Sequence, residues 1–203
     1  MRPSWIIFDI GGVILDWHTC LSSVVNYLKI DSNIFTPVFQ KYLPEMEKGS
    51  IASIDGFKKI LTELKITNVN PAIINQIWID NHHLITPTKN LIKKLAKNYP
   101  LGICTNNWLN YQDTIYKNFP VFDNFQFMIQ SSVEKITKPN SKIYKLVENK
   151  CHASGNQIFF IDDSLENING AKQLNWQTFL FDSKTNQGQE SCDQLSKTLL
   201  DSK

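Results

Sequence analysis

The sequence predicts an α/β fold, a doubly wound parallel sheet carrying an inserted helical segment, and three observations predict it. Short apolar runs recur without polar alternation, helical patterns separate most of them, and one long stretch after the first run contains no such strand. An unbroken apolar run suits a strand covered by helices on both faces, as in a parallel sheet.

Trp5 to Phe8 is the first run. Leu101-Gly102-Ile103-Cys104, Ile158-Phe159-Phe160-Ile161 and Thr178-Phe179-Leu180-Phe181 resemble it, and Phe125 to Ile129 forms a fifth candidate strand. Thr86-Pro87 is a helix start signal, Leu91, Ile92, Leu95, Ala96 and Tyr99 repeat at helical spacing behind it, and Pro100 ends the pattern. Ile143, Tyr144, Leu146 and Val147 make another apolar face, and Ile168, Ala171 and Leu174 a third. Ligands in sheets of this kind bind at the carboxyl ends of the strands.

The stretch from about Asp16 to Ile85 reads as helical throughout. Leu21, Val24, Val25 and Leu28 mark one helix, Ile34 to Leu43 a second, Ile54, Phe57, Ile60, Leu61 and Leu64 a third, and Ile73, Ile74, Ile77 and Trp78 a fourth, opened by Asn70-Pro71. The expected organisation is an α/β core from residues 1–15 and 86–203 and a helical cap from residues 16–85. The polar stretch after Asp182 is expected to be partly frayed.

A chain of 203 residues, 42% hydrophobic and 20% charged, buries a substantial core without staples and is not a disordered or fibrous composition. The formal charge of +2 and scattered lysine pairs argue against a nucleic-acid partner. Cys20, Cys104, Cys151 and Cys192 are far apart and read as free thiols of a reducing cytoplasm. Asp9 interrupts the only N-terminal apolar run, so neither a targeting signal nor a membrane span is expected.

The chemistry sits at strand ends. The first strand closes with Phe8-Asp9-Ile10-Gly11-Gly12, so the Asp9 carboxylate emerges at the ligand edge and glycines let the chain turn beside it. Asp162-Asp163-Ser164 ends another strand, and its adjacent carboxylates, with Asp9 nearby, form an oxygen-rich site of the kind magnesium accepts. Either Asp163 or Ser164 equally suits a helix cap there. Thr105-Asn106-Asn107 offers a hydroxyl and backbone N–H groups for phosphate oxygens. Pro139 extends the backbone at Lys138, whose ammonium then offsets charge on carboxylate and phosphate. An anionic nucleophile, a bridging cation and donors around the equatorial oxygens are what phosphoryl transfer to a carboxylate requires.

In this order the residues resemble the motifs of the haloacid dehalogenase-like hydrolase superfamily. Phe8 to Asp16 look like its first motif, Thr105-Asn106-Asn107 its second, Lys138-Pro139 its third, and Ile161-Asp162-Asp163-Ser164 with Asn167 and Gly170-Ala171 its fourth. The helical segment after the first motif is similar to a class 1 cap. Ser131-Ser132-Val133 before Thr137-Lys138-Pro139 looks like the branch containing sugar-phosphate phosphatases such as glucose-1-phosphatases. The resemblance implies a sheet ordered 5-4-1-2-3 and an aspartyl-phosphate intermediate on Asp9, with Lys138 in the catalytic set and Thr105, Asn106 and Lys138 binding substrate. It also implies one Mg2+ held by Asp9, the Gly11 carbonyl and one or both of Asp162 and Asp163.

One position departs from that pattern. The usual phosphatase carries a second Asp two residues after the nucleophile to protonate the leaving alcohol, and here that residue is Gly11. Positioned acid/base catalysis is worth roughly 100- to 10,000-fold. Asp16 and His18 are the sequence-near substitutes, but both read better as hinge or cap residues and neither is assigned a catalytic role, while Trp17, His18, Met46, Glu47 and Trp78 are candidates for the cap side of the pocket. The expected activity is magnesium-dependent hydrolysis of a small phosphate ester. The rivals are carbon–halogen cleavage, which needs no metal, and a phosphate-binding protein without turnover.

Overall fold

The computed structural model describes residues 2–108 and 114–201. Strand β1 (Trp5–Phe8) lies at the centre of a five-stranded sheet between β4 (Leu101–Thr105) and β6 (Ile158–Asp162), with β5 (Phe127–Gln130) and β7 (Gln177–Leu180) at the edges. All neighbours are parallel, with Phe8 opposite Ile103 on one side and Ile161 on the other. Counting these five strands alone, the order is 5-4-1-2-3. Parallel register carries the residues following β1, β4 and β6 to one edge of the sheet.

Successive strand residues point to opposite faces, and each face has its own core. Ile7, Cys104 and Phe160 pack with Ile143, Tyr144 and Val147 of α7 (Ser141–Cys151). Ile6, Phe8, Ile103 and Ile161 pack with Leu91, Ile92 and Leu95 of α5 (Thr86–Leu95). The second core continues without interruption into the inserted helices, through Phe35, Phe57 and Trp78. Short α6 (Ser131–Glu134) follows β5, and α8 (Leu165–Lys172) follows β6.

The inserted stretch holds α1 (His18–Leu28), α2 (Ser32–Glu47), α3 (Ser53–Glu63) and α4 (Pro71–Asp80). Asp31 and Asn70 cap α2 and α4 by accepting the N–H of Asn33 and Ala72, as their residue types favour. The stretch is not helical throughout. Its ends form β2 (Leu15–Asp16) and β3 (His83–Leu84), paired antiparallel with Leu15 opposite Leu84. Two-residue strands are too short to impose a readable period. The edge strands also shift slightly: Phe125 lies outside β5, which ends at Gln130, and β7 runs one residue earlier than expected.

The tail after Asp182 is a correction of larger size. It folds into α9 (Gln189–Leu199), which packs on α5 and buries Ser191, Cys192, Leu195 and Leu199. Cys192, Leu195 and Leu199 lie on one face at helical spacing, but the solvated residues between them make the segment read as polar. No helix among the described residues is long and apolar enough to cross a membrane, and all four cysteines are free and buried.

Leu195 is fully buried, so Leu195→Ala is expected to lower the unfolding free energy by about 2–5 kcal/mol. Urea denaturation followed by tryptophan fluorescence checks this; at a frayed site the change would stay within about 0.5 kcal/mol.

Candidate active site

Asp9 follows β1 and is tied to β6 by its N–H, which donates to Ile161 O at 2.9 Å. The chain then turns sharply, because the N–H groups of Val13, Ile14 and Leu15 all converge on Ile10 O. Gly12 has φ +71°, and a Cβ there would collide with the Asp163 carboxylate. Glycine is therefore required for both the backbone conformation and the space. Gly11 has no such restriction; a Cβ there would meet only Trp17 Cδ1 within 4 Å, at 3.7 Å.

Lys138 organises the centre. Its Nζ donates to Asp9 Oδ1 at 2.8 Å, Asp162 Oδ2 at 2.6 Å and Cys104 O at 2.9 Å, so all three ammonium protons are engaged in a fully buried side chain. Burial alone would lower this ammonium, but Asp162 and Asp9 outweigh burial and hold it well above its ordinary value. The Lys138–Pro139 peptide is cis. Asn106 grips the lysine backbone at both ends, its Oδ1 accepting Lys138 N–H at 2.8 Å and its Nδ2 donating to Lys138 O at 3.1 Å. The side chain expected to hold phosphate is thus committed to positioning the lysine.

Asp162 is similarly occupied. Oδ1 accepts the N–H of Ser164 at 2.8 Å, and Asn167 Nδ2 donates to both oxygens. That contact to Ser164 replaces the expected cap, since neither Asp163 nor Ser164 caps α8 with its side chain. Asp163 is half-buried beside Gly12. Thr105, the last residue of β4, is fully buried with no hydrogen-bond partner for Oγ1, a state costing about 1–3 kcal/mol when left unmet.

Carboxylate oxygens of Asp9, Asp162 and Asp163 lie within 4.8 Å of one another. Burial first, against the pull of Lys138, lifts Asp9 to about 6; burial, then Asp9 and Asp162, lifts Asp163 to about 7. Three carboxylates against one ammonium leave two negative charges, and every donor is a hard oxygen. This set fits one magnesium ion, with Asp9 and Asp163 as the carboxylates best placed to hold it and the Gly11 carbonyl adjoining.

The cluster opens into a cavity of about 330 Å³. Asp9, Gly11, Asn106, Asn107, Lys138 and Asp163 form its floor, and Trp17, Phe39, Glu47, Trp78, His82 and Trp108 contribute to its other walls. Thr105 is not a wall residue. Met46 is also absent, being fully buried against Gly56. Asp16 and His18 pair with each other at 3.0 Å and line a separate cavity with His83 and Lys184, so neither lines the cavity above Lys138.

Ser131 is the connecting residue that sequence reasoning missed. Its Oγ donates to Glu47 O at 2.6 Å and accepts the Asn107 N–H at 2.9 Å, joining the end of α2 to the loop after β4. The signal was available: Ser131 follows a strand of the same sheet, at the edge where the other polar residues were sought.

A family model described as haloacid dehalogenase-like hydrolase matches residues 6–181. The D-ribitol-5-phosphate phosphatase of Bacteroides thetaiotaomicron is 26% identical over 190 residues, 86% of this chain and 89% of that protein. A magnesium complex of a HAD family enzyme from the same organism superposes with a TM-score of 0.73 at 25% identity, covering 91% of this chain and 96% of that one. The L-2-haloacid dehalogenase of Xanthobacter autotrophicus shares the fold at 15% identity, with a TM-score of 0.71 over 87% of this chain and 76% of its own.

Removing the lysine leaves buried carboxylates without their counter-charge. Lys138→Met is expected to cost about 3–5 kcal/mol of stability at pH 7, measured by urea unfolding, and adding Asp162→Asn should recover part of the loss.

Proposed function

Since the chain belongs to the haloacid dehalogenase-like hydrolase family, we propose that it is a magnesium-dependent phosphatase of a small sugar or polyol phosphate, with Asp9 as nucleophile. The single observation that carries this reading is the cluster of Asp9, Lys138, Asp162 and Asp163 at the floor of a cavity sized for a small ligand. The relative acting on ribitol 5-phosphate supports the substrate class, and the tryptophan walls suit the apolar face of a sugar or polyol chain.

Asp9 attacks phosphorus and the bond to the ester oxygen breaks, leaving phosphate on the Asp9 carboxylate; water then attacks phosphorus, releasing phosphate and restoring Asp9. Lys138 binds Asp9 Oδ1 and so leaves Oδ2 the freer oxygen for attack. The same ammonium offsets charge as the phosphate approaches a carboxylate. Backbone N–H groups of the loop after β4 are the protein's own donors for phosphate oxygens, and the unpaired Thr105 hydroxyl joins them only if the cavity opens to it on binding. Magnesium, when bound by Asp9, Asp163 and the Gly11 carbonyl, supplies positive charge that stabilises the phosphate oxygens in the transition state. The residues 16–85 act as the cap that excludes water from this reaction.

Gly11 gives the dehalogenase reading one specific point in its favour, because the dehalogenases also lack the second Asp. Asp162 and Asp163 weigh against it, since a metal-free reaction gives no reason to gather them beside Asp9.

Phosphate release from a panel of sugar and polyol phosphates in magnesium tests the proposal. Wild-type protein is expected to turn over at least one of them, EDTA to suppress the reaction, and Asp9→Asn to abolish it with the fold retained. Halide release from haloacids in EDTA would replace the phosphatase with a dehalogenase, and no turnover above the Asp9→Asn control would replace it with a non-catalytic binder.

A further inference from the structure

Gly11 leaves the leaving group's proton without a source, and the cavity contains few groups able to supply it. Asp9 is committed to attack, Asp163 faces the cation site, and Lys138 has no free proton. His82 is bound through Nδ1 to Ile79 O and the Cys20 thiol, and burial lowers its basicity. Asp16 and His18 face another cavity. Glu47 remains.

We infer that Glu47, the last residue of α2, is the general acid and base of this phosphatase, acting from the inserted helices in place of the carboxyl missing at Gly11. The inference rests on the phosphatase reading. Two features of Glu47 carry it. Its side chain lines the cavity with Asp9 and Lys138 and forms no hydrogen bond or ion pair with any described residue. Its backbone is held from both sides: Ser131 Oγ donates to Glu47 O at 2.6 Å, and two residues on Lys135 Nζ donates to Gly49 O at 2.8 Å. Gly49 has φ +67°, and a Cβ there would strike Ser132 O and Lys135 Nζ, so this close seat on α6 requires glycine. An untethered carboxyl thus sits on a tethered backbone, as a positioned proton carrier should.

Electrostatics agrees. Burial, then the Asp9 charge, raises the Glu47 carboxyl to about 7, against a smaller pull from Lys138. Both causes favour the protonated form of this carboxyl. As Asp9 attacks phosphorus and the P–O ester bond breaks, the leaving oxygen takes that proton and departs as an alcohol. The Glu47 carboxylate then removes a proton from the water that attacks phosphorus, the bond to Asp9 breaks, and both side chains return to their starting states.

Aryl phosphates of graded leaving-group acidity, assayed with magnesium, provide the test. Glu47→Gln is expected to lower kcat/KM by about 10²–10⁴-fold on phenyl phosphate, whose phenoxide needs a proton, and by under about threefold on 2,4-dinitrophenyl phosphate, whose leaving group does not. The leaving-group dependence should therefore steepen, a change that a structural or substrate-holding role would not produce. Gly11→Asp in the Glu47→Gln background should restore phenyl phosphate turnover. An equal loss on both esters, or no loss on phenyl phosphate, overturns the role of Glu47 while leaving the phosphatase standing. Hydrolysis of neither ester by wild type, or equal hydrolysis by Asp9→Asn, overturns the phosphatase reading and this inference with it.

Discussion

The structure depends on one buried ammonium. Lys138 lies where β1, β4 and β6 converge, and it meets a carboxylate from β6, the carboxylate just past β1 and a carbonyl from β4. Burying two carboxylates so close together is costly without a counter-charge, and a buried ion pair repays its desolvation only when its remaining hydrogen bonds are met. They are met here through Ser164 N–H and Asn167 on Asp162 and the Cys104 carbonyl on the ammonium, while Asn106 holds the lysine backbone. The strand order, the turn at Gly12 and the clamp on the Lys138 backbone all bear on keeping this one contact in register.

The cluster is balanced for a further cation. Lys138 neutralises one of three carboxylates, and Asp9 and Asp163 are the two whose protonation burial favours. Glu47 adds a third raised carboxyl from across the cavity. Such raised groups cluster where charge is gathered for chemistry, and here their separation by element also divides their roles. In the proposed reaction the sheet edge would contribute the nucleophile and the cation site, and α2 the proton carrier.

Most of the sheet and the acidic centre were legible in the sequence, because both obey local rules. Apolar runs announce β1, β4 and β6, and a polar residue at the carboxyl end of such a run lies at the ligand edge whatever the loops do. Asp9, Asp162 and Asp163 were expected at that edge on this basis, and Lys138 from the proline that follows it. Asn106 was expected as a substrate contact, and nothing local shows that its amide will also close on a backbone 32 residues later. Asp16 and His18 lie close to Asp9 in sequence, yet the pairing of β2 with β3 turns them toward a separate cavity. Glu47 and Ser131 are 84 residues apart and meet only in three dimensions. Helix α9 was hidden by composition, because few apolar residues suffice when they share a face.

The pairing of β2 with β3 carries a mechanical consequence. Both covalent crossings between the sheet and the four inserted helices run side by side through this ribbon, where Leu15 faces Leu84 and Asp16 faces His83. Two strands joined in one place act as a pivot. The opposing restraint is noncovalent: a serine hydroxyl on Glu47 O, a lysine on Gly49 O and the apolar core shared by the sheet and the inserted helices. A rotation about this ribbon would break these contacts and carry Glu47 and Trp78 away from Asp9 together, because both belong to the inserted helices.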